Sequence, residues 1–158
     1  MSRINIGNFY YGAVLSMLLS RKANPLLVES NKDRQIYDLT TDNNSYLLYI
    51  KYRSNKTNTK TRGYNSWQFQ LSGDEIKELQ EIIRGNKKLQ IILVCGVKKL
   101  GHSEIAVIGK DEIQKIMELG KTSFTISRQK HAKVYRVFTD GCRDSAMLVK
   151  SNAFDDIY

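Results

Sequence analysis

The sequence predicts a mixed α+β domain. Helices are indicated by apolar residues at 3.6-residue spacing near the N-terminus and by a capping box that begins a second helix at Ser72. Strands are indicated by short runs rich in Tyr, Ile and Leu, and by a nearly continuous apolar run at 89–95. The segments follow the order helix, strands, helix, strands, helix, strands, which differs from the regular alternation of an α/β fold.

The N-terminal third is predicted as one helix, a short strand and a hairpin. Residues 6–20 form the helix, which ends before Pro25, and the Leu-Leu-Val run at 26–28 is an edge strand. Residues 35–41 and 45–53 are the two strands of the hairpin. The Asn-rich turn between them favours this interpretation, because Asn tolerates the positive φ of a tight turn.

The remainder is predicted as alternating helices and strands. Residues 54–65 have no apolar pattern and are interpreted as a mobile loop, followed by a half-buried strand at 66–71. Glu75 completes the capping box of the second helix, for which Gly85 is the expected left-handed stop. Its buried stripe is expected at Ile76, Leu79, Ile82 and Ile83. Further strands are expected at 89–95, 104–108, 123–127, 133–138 and 146–149, and a helix at 110–119 closed by Gly120.

Composition limits the class of protein. The 158 residues suit one domain spanning 1–158, and 41% hydrophobic content with a single Pro excludes a disordered chain. No apolar run approaches the roughly 20 residues of a membrane-spanning helix, so we expect no membrane partner. Cys95 and Cys142 provide neither a disulfide framework nor, with His102 and His131, the ligand spacing of a zinc site. The sequence therefore indicates a cytoplasmic globular protein.

The hairpin predicts a pair of polar residues on one face of the sheet. We take Asn43 and Asn44 as the central turn residues. The numbers of two residues that face each other across the hairpin then add up to 87, so Asp38 lies opposite Tyr49. Side chains alternate along a strand, so Tyr49, Lys51 and Arg53 share the face of Asp38. A carboxylate and a lysine would then lie diagonally across adjacent strands.

At these residues the chain resembles the PD-(D/E)XK nuclease superfamily, the restriction-endonuclease-like fold. Asp38 matches the family's Asp, Tyr49-Ile50-Lys51 occupies its x-Lys tripeptide, and the order of elements over residues 4 to about 117 is similar. The resemblance implies a central mixed sheet flanked by helices, with the basic, β-rich segment 121–158 as an extension. It also implies a Mg²⁺-dependent endonuclease in which Asp38 binds the metal and Lys51 acts at the attacked phosphate.

One departure from the family pattern affects the metal site. Tyr49 stands where the family carries an acidic or amide ligand, and a neutral phenol is a poor ligand for Mg²⁺. The first helix contains no acid, so Asp38 would need Glu29 or another carboxylate. We therefore expect a degenerate or weak site. The alternative is that Asp38 is a solvated turn carboxylate and Lys51 an edge lysine that discourages aggregation.

The net charge is +9, and two basic segments, 51–62 and 121–139, contain no acid and interleave their cations with aromatic residues. Phosphate neutralisation and base stacking are the sequence-independent terms of nucleic-acid binding, so the pattern predicts a nucleic-acid partner, with DNA favoured. The acids concentrate on the second helix, interpreted as its solvated face: Asp74, Glu75, Glu78 and Glu81. The candidate nucleic-acid-binding residues are Arg53, Lys56, Lys60, Arg62, Lys121, Arg128, Lys130, Lys133 and Arg136.

Two functions remain open at this stage. The first is a small basic nucleic-acid-binding protein with a nuclease-like fold and a weak Mg²⁺ site. The second is a non-enzymatic interaction or inhibitor protein, of the kind encoded by phages or mobile elements, that binds nucleic acid or an acidic protein. A homodimer is compatible with either function.

Overall fold

The computed structural model describes residues 1–41, 44–57, 63–139 and 145–157. Within these ranges the chain forms three α-helices and nine strands, so the predicted α+β class is confirmed. The helices are α1 (Ile6–Ser20), α2 (Gly73–Arg84) and α3 (Lys110–Glu118). The strands are β1 (Pro25–Ser30), β2 (Gln35–Thr40), β3 (Ser45–Arg53), β4 (Tyr64–Gln70), β5 (Lys88–Cys95), β6 (Glu104–Gly109), β7 (Ser123–Gln129), β8 (Val134–Phe138) and β9 (Met147–Lys150).

The strands form two sheets. The first has five strands in the order β1-β2-β3-β5-β6, in which only the β3–β5 pair is parallel. The second is antiparallel, with the order β4-β7-β8-β9. β4, the half-buried strand predicted at 66–71, therefore lies in the second sheet, while β5 lies in the first.

Two hydrophobic clusters cover the two faces of the five-stranded sheet. Residues of β5 alternate between them, and the strand is buried on both faces as expected from its apolar run. On one face Val14 and Leu18 of α1 pack against the sheet. On the other face the second sheet, α2 and α3 pack together around Trp67 and Phe124. The Trp67 indole Nε1 donates to the Gly96 carbonyl oxygen at 2.8 Å, which joins the two sheets.

Helix ends and faces agree with the sequence pattern in part. The capping box between Ser72 and Glu75 is present. Gly120 has φ +69°, as the stop of α3 requires, whereas Gly85 has φ −78° and is not left-handed. On α1 the buried side is formed by Tyr10, Tyr11, Val14 and Leu18. Ile6 and Phe9, two apolar residues within the helix predicted at 6–20, are each 50% exposed, because the tyrosines of α1 face the sheet.

The register of the β2–β3 hairpin differs from the prediction by two residues. Asp38 pairs with Leu47, not with Tyr49, and Tyr49 pairs with Ile36. The last pair of the ladder joins Thr40 to Ser45, and the amide of Thr41 donates to the Asn44 carbonyl oxygen at 2.8 Å. Residues 42 and 43, and with them the predicted central residue Asn43, lie outside the described residues. A shift of two residues preserves the side-chain face, and Asp38, Tyr49 and Lys51 still face the same side. That side is the one opposite α1.

Among the helices that the structure describes, none has the length and apolar character needed to cross a membrane.

Candidate functional site

Lys51 lies in a buried polar cluster with Tyr49 and Glu75. Its side chain is only 8% exposed, and its ammonium donates to both carboxylate oxygens of Glu75, at 2.7 and 2.9 Å. A third contact, at 3.3 Å, reaches the carbonyl oxygen of Asp33. The Tyr49 hydroxyl donates to Glu75 Oε2 at 3.0 Å. We call Tyr49, Lys51 and Glu75 the buried cluster.

Local structure explains how the buried cluster forms. Tyr49 and Lys51 are two residues apart in β3 and therefore project from the same face. Glu75 is the third residue of α2, and its side chain turns back to accept from the Ser72 amide at 3.3 Å. That position is near the positive end of the helix dipole, which favours a carboxylate.

The role of Glu75 was wrong in the sequence interpretation, which assigned it to the solvated face of the helix. Its exposure is 4%, because Glu75 and Leu79 are one helical turn apart and both face the core. The helical spacing was the signal that could have found this, since Glu75 precedes Leu79 of the predicted buried stripe by four residues and therefore lies on the same face.

A second ion pair borders the buried cluster. Arg34 is buried, and its Nε and Nη2 donate to the two carboxylate oxygens of Glu78 at 2.8 and 2.6 Å. Its Nη2 also lies 3.1 Å from Glu29, the carboxylate considered as a metal ligand. The hydrogen bond to Glu78 raises the pKa of Arg34 further above its usual range, against the opposing effect of burial. The Glu29 carboxylate therefore contacts the Arg34 guanidinium.

Asp38 lies apart from the buried cluster. Its carboxylate forms an ion pair with Lys87 at the surface. Lys51 is four residues beyond Leu47, the partner of Asp38, which corresponds to about 13 Å along the strand. The structure thus brings Lys51 to Glu75, and does not bring Asp38, Glu29 and Lys51 together. Among the described residues no group of three His, Cys, Asp or Glu side chains is placed to hold a metal ion.

The buried cluster is internally neutralised. The Lys51 ammonium contacts both oxygens of Glu75, which are the positions that a divalent cation would need. Burial, and then the charge of Glu75, raise the pKa of Tyr49, so the phenol stays protonated and donates a hydrogen bond. The arrangement stabilises the junction of β3 and α2 and leaves no carboxylate of the buried cluster free for Mg²⁺.

A polar cavity of about 260 Å³ adjoins Lys51. Lys32, Asp33 and Arg53 contribute charged side chains to it, and Gln68 and Gln70 of β4 contribute amides. Lys51 is paired with Glu75, but the two remaining cations of the wall, Lys32 and Arg53, outnumber its single acid, Asp33, so the cavity wall is net positive. Arg53 is the only candidate nucleic-acid-binding residue of the described chain that lines it.

The two basic segments meet at one end of the second sheet. β4 pairs with β7 so that Tyr64 lies opposite Gln129, and the Lys130 amide donates to the Gly63 carbonyl oxygen at 2.6 Å. Lys56 is held there, with its Nζ 3.2 Å from Asn65 Oδ1. Lys133 and Lys150 lie at the same end, where β8 begins and β9 ends. We call the four exposed lysines, Lys56, Lys130, Lys133 and Lys150, the basic end.

Other candidates are placed differently. Arg128 forms an ion pair with Glu104, whose carboxylate also accepts from the Tyr135 hydroxyl at 2.9 Å, so this arginine has a structural contact. Lys121 precedes β7 and is at the opposite end of the strand, while Arg136 is half-buried in β8. Lys60 and Arg62 lie outside the described residues.

Comparisons with protein-family models, with curated proteins and with solved structures found no match to this chain.

Proposed function

We propose that the chain is a nucleic-acid-binding protein that contacts the phosphate backbone, preferably of DNA, through the basic end. One observation carries the proposal: Lys56 of the first acid-free basic segment and Lys130 and Lys133 of the second, about 70 residues further along the chain, are exposed at one end of the sheet in which β4 pairs with β7. Lysines clustered on one surface neutralise successive phosphates and release counterions, which is the main source of sequence-independent affinity. An evenly distributed solubilising charge would not require this convergence.

The nuclease-like residues fit a degenerate site better than an active one. Lys51 is held by Glu75, and Asp38 is held by Lys87 about 13 Å along the strand. Catalysis of phosphodiester hydrolysis would need a metal that polarises the phosphate and activates water. We propose that the chain, acting in the cytoplasm, binds nucleic acid with little or no cleavage.

Reversing the charge of the basic end should remove most of the binding. In the variant Lys56→Glu/Lys130→Glu/Lys133→Glu, three phosphate contacts are lost, so the slope of log affinity against log salt should fall by about 3. Affinity at low salt should decrease at least 100-fold for every nucleic-acid sequence alike. Fluorescence anisotropy with labelled duplex and single-stranded DNA over a salt series measures both quantities.

The matched control carries the same charge change elsewhere. Lys77, Lys110 and Lys115 are exposed lysines on α2 and α3, and none of them is a candidate nucleic-acid-binding residue. Lys77→Glu/Lys110→Glu/Lys115→Glu should keep the salt slope within about 1 of the natural protein. Equal losses in the two variants would show that only net charge matters, and the basic end would not be a binding surface. A chain that binds no DNA or RNA at low salt would favour an acidic protein as the partner.

Cleavage should be absent or marginal. With millimolar Mg²⁺ or Mn²⁺, plasmid DNA should remain supercoiled over hours, because a single carboxylate leaves most of the metal coordination shell to water. The Asp38→Ala variant should behave like the natural protein in this assay. Robust Mg²⁺-dependent nicking that disappears in Asp38→Ala would instead establish an active nuclease and overturn the degenerate-site proposal.

A further inference from the structure

β1 is an outer strand of the five-stranded sheet and is paired on one side only among the described residues. Its three consecutive aliphatic residues are exposed: Leu26 by 70%, Leu27 by 57% and Val28 by 58%. Leu26 lies opposite Asp38 and Leu27 opposite Tyr37, so the apolar surface extends onto both faces of the sheet. We call these three residues the β1 edge. An exposed, apolar, one-sided strand is a template for pairing with another strand.

The charge distribution indicates which partner the β1 edge fits. Proteins usually protect an exposed edge with lysines, yet residues 23–31 contain no Lys or Arg in a chain of net charge +9. Two copies of so basic a protein repel each other over most of their surface. The β1 edge is a cation-free segment through which a second copy can approach without that repulsion.

The sequence of β1 is also self-complementary in one antiparallel register. If Leu27 lies on a two-fold axis, Leu26 faces the second copy's Val28, and Pro25 faces the second copy's Glu29. Every aliphatic residue then contacts an aliphatic residue, and no like charges are opposed within the strand. Such an isologous contact is the usual arrangement of homodimers.

A β-bulge limits the length of an external contact, and it leaves one residue of β1 without a partner in β2. Leu27 pairs with Tyr37 and Glu29 with Ile36, so Val28 has no partner residue in β2. A strand that adds to β1 gives Val28 an apolar partner. The bulge and Pro25, which has no N–H, restrict the pairing to a short segment.

We infer that the partner of the β1 edge is a second copy of this chain, added antiparallel about Leu27 to make a continuous ten-stranded sheet across the dimer. The dimer is independent of the nucleic-acid proposal, because the basic end belongs to the other sheet. Its short strand contact predicts a reversible dimer whose population rises with protein concentration.

Sedimentation equilibrium of the full chain tests this inference. The natural protein should show a concentration-dependent monomer–dimer equilibrium. Leu27→Lys places two cations together on the two-fold axis and should weaken dimerisation at least tenfold. The control is Leu148→Lys, the same change at a residue that is 62% exposed on β9, the outer strand of the second sheet. It should leave the equilibrium unchanged.

A disulfide experiment keeps the inference testable if Leu27→Lys does not fold. In a Cys142→Ser background, Leu27→Cys should form an intermolecular disulfide under mild oxidation, while Leu148→Cys should stay monomeric on a non-reducing gel. A natural protein that is monomeric at all concentrations overturns the inference. So does equal weakening by the two lysine variants, or equal cross-linking of the two cysteine variants.

Discussion

Replacing Glu75 with Ala should lower the free energy of unfolding by about 3–5 kcal/mol, because the change leaves the Lys51 ammonium buried without its counter-charge. Lys51 is 8% exposed and has both of its carboxylate contacts on this one residue. The Tyr49 hydroxyl would lose its acceptor as well, and the Ser72 amide would lose its side-chain partner in the capping box. Urea unfolding followed by circular dichroism measures the difference.

A double-mutant cycle separates the value of the ion pair from the cost of an isolated buried charge. Lys51→Met alone should destabilise the fold to a similar extent, because it isolates the Glu75 carboxylate. Lys51→Met/Glu75→Leu should recover much of the loss, since apolar residues of similar volume often replace a buried pair without a large penalty.

Glu81, which is exposed on the same helix, provides the matched control. Glu81→Ala should change the free energy of unfolding by no more than about 0.5 kcal/mol. If Glu75→Ala costs no more than Glu81→Ala, the buried cluster contributes nothing to stability and this prediction is wrong.

The elements that sequence predicted well are those specified by local chemistry. The 3.6-residue spacing and the capping box of Ser72 and Glu75 act within a few residues, and so does the alternation of Trp67 and Phe69 in β4. The error in the hairpin is also local. The segment between the strands contains Asp42, Asn43 and Asn44, which are all common turn residues, so composition alone did not say which pair is central, and the register differs by two.

The candidate site depended on contacts between distant parts of the chain, which no local pattern specifies. Lys51 and Glu75 are 24 residues apart, and their contact exists only because α2 packs on the face of β3 that carries Tyr49. From its charge, Arg128 was predicted to bind nucleic acid. In the folded chain the Arg128 side chain forms an ion pair with Glu104. The lysines of the basic end likewise lie together because of the order of strands in the second sheet, and their spacing in the sequence does not predict this.

Stability should fall steeply at alkaline pH. Tyr11, Tyr49 and Tyr135 are 7%, 0% and 2% exposed, and burial raises the pKa of each above its unfolded value. A raised folded pKa means that the stabilisation is complete below the unfolded pKa of about 10 and is lost as pH rises above it. Above pH 10, each of these groups lowers the free energy of unfolding by about 1.4 kcal/mol per pH unit. The three together lower it by roughly 4 kcal/mol per pH unit. Urea unfolding over a pH series, with tyrosinate absorbance at 295 nm, measures this.

Tyr11→Phe isolates one of the three groups. The Tyr11 hydroxyl has no hydrogen-bond partner among the described residues, whereas those of Tyr49 and Tyr135 donate to Glu75 and Glu104. Removing it should therefore leave stability at neutral pH unchanged or slightly higher, because a buried hydroxyl without a partner is unfavourable. Above pH 10 the slope should become shallower by about 1.4 kcal/mol per unit, since the unfolded variant releases one proton fewer. If the natural protein instead shows more tyrosinate absorbance than Tyr11→Phe while both are still folded, the Tyr11 phenol is accessible to hydroxide and the burial of Tyr11 between α1 and the sheet is contradicted.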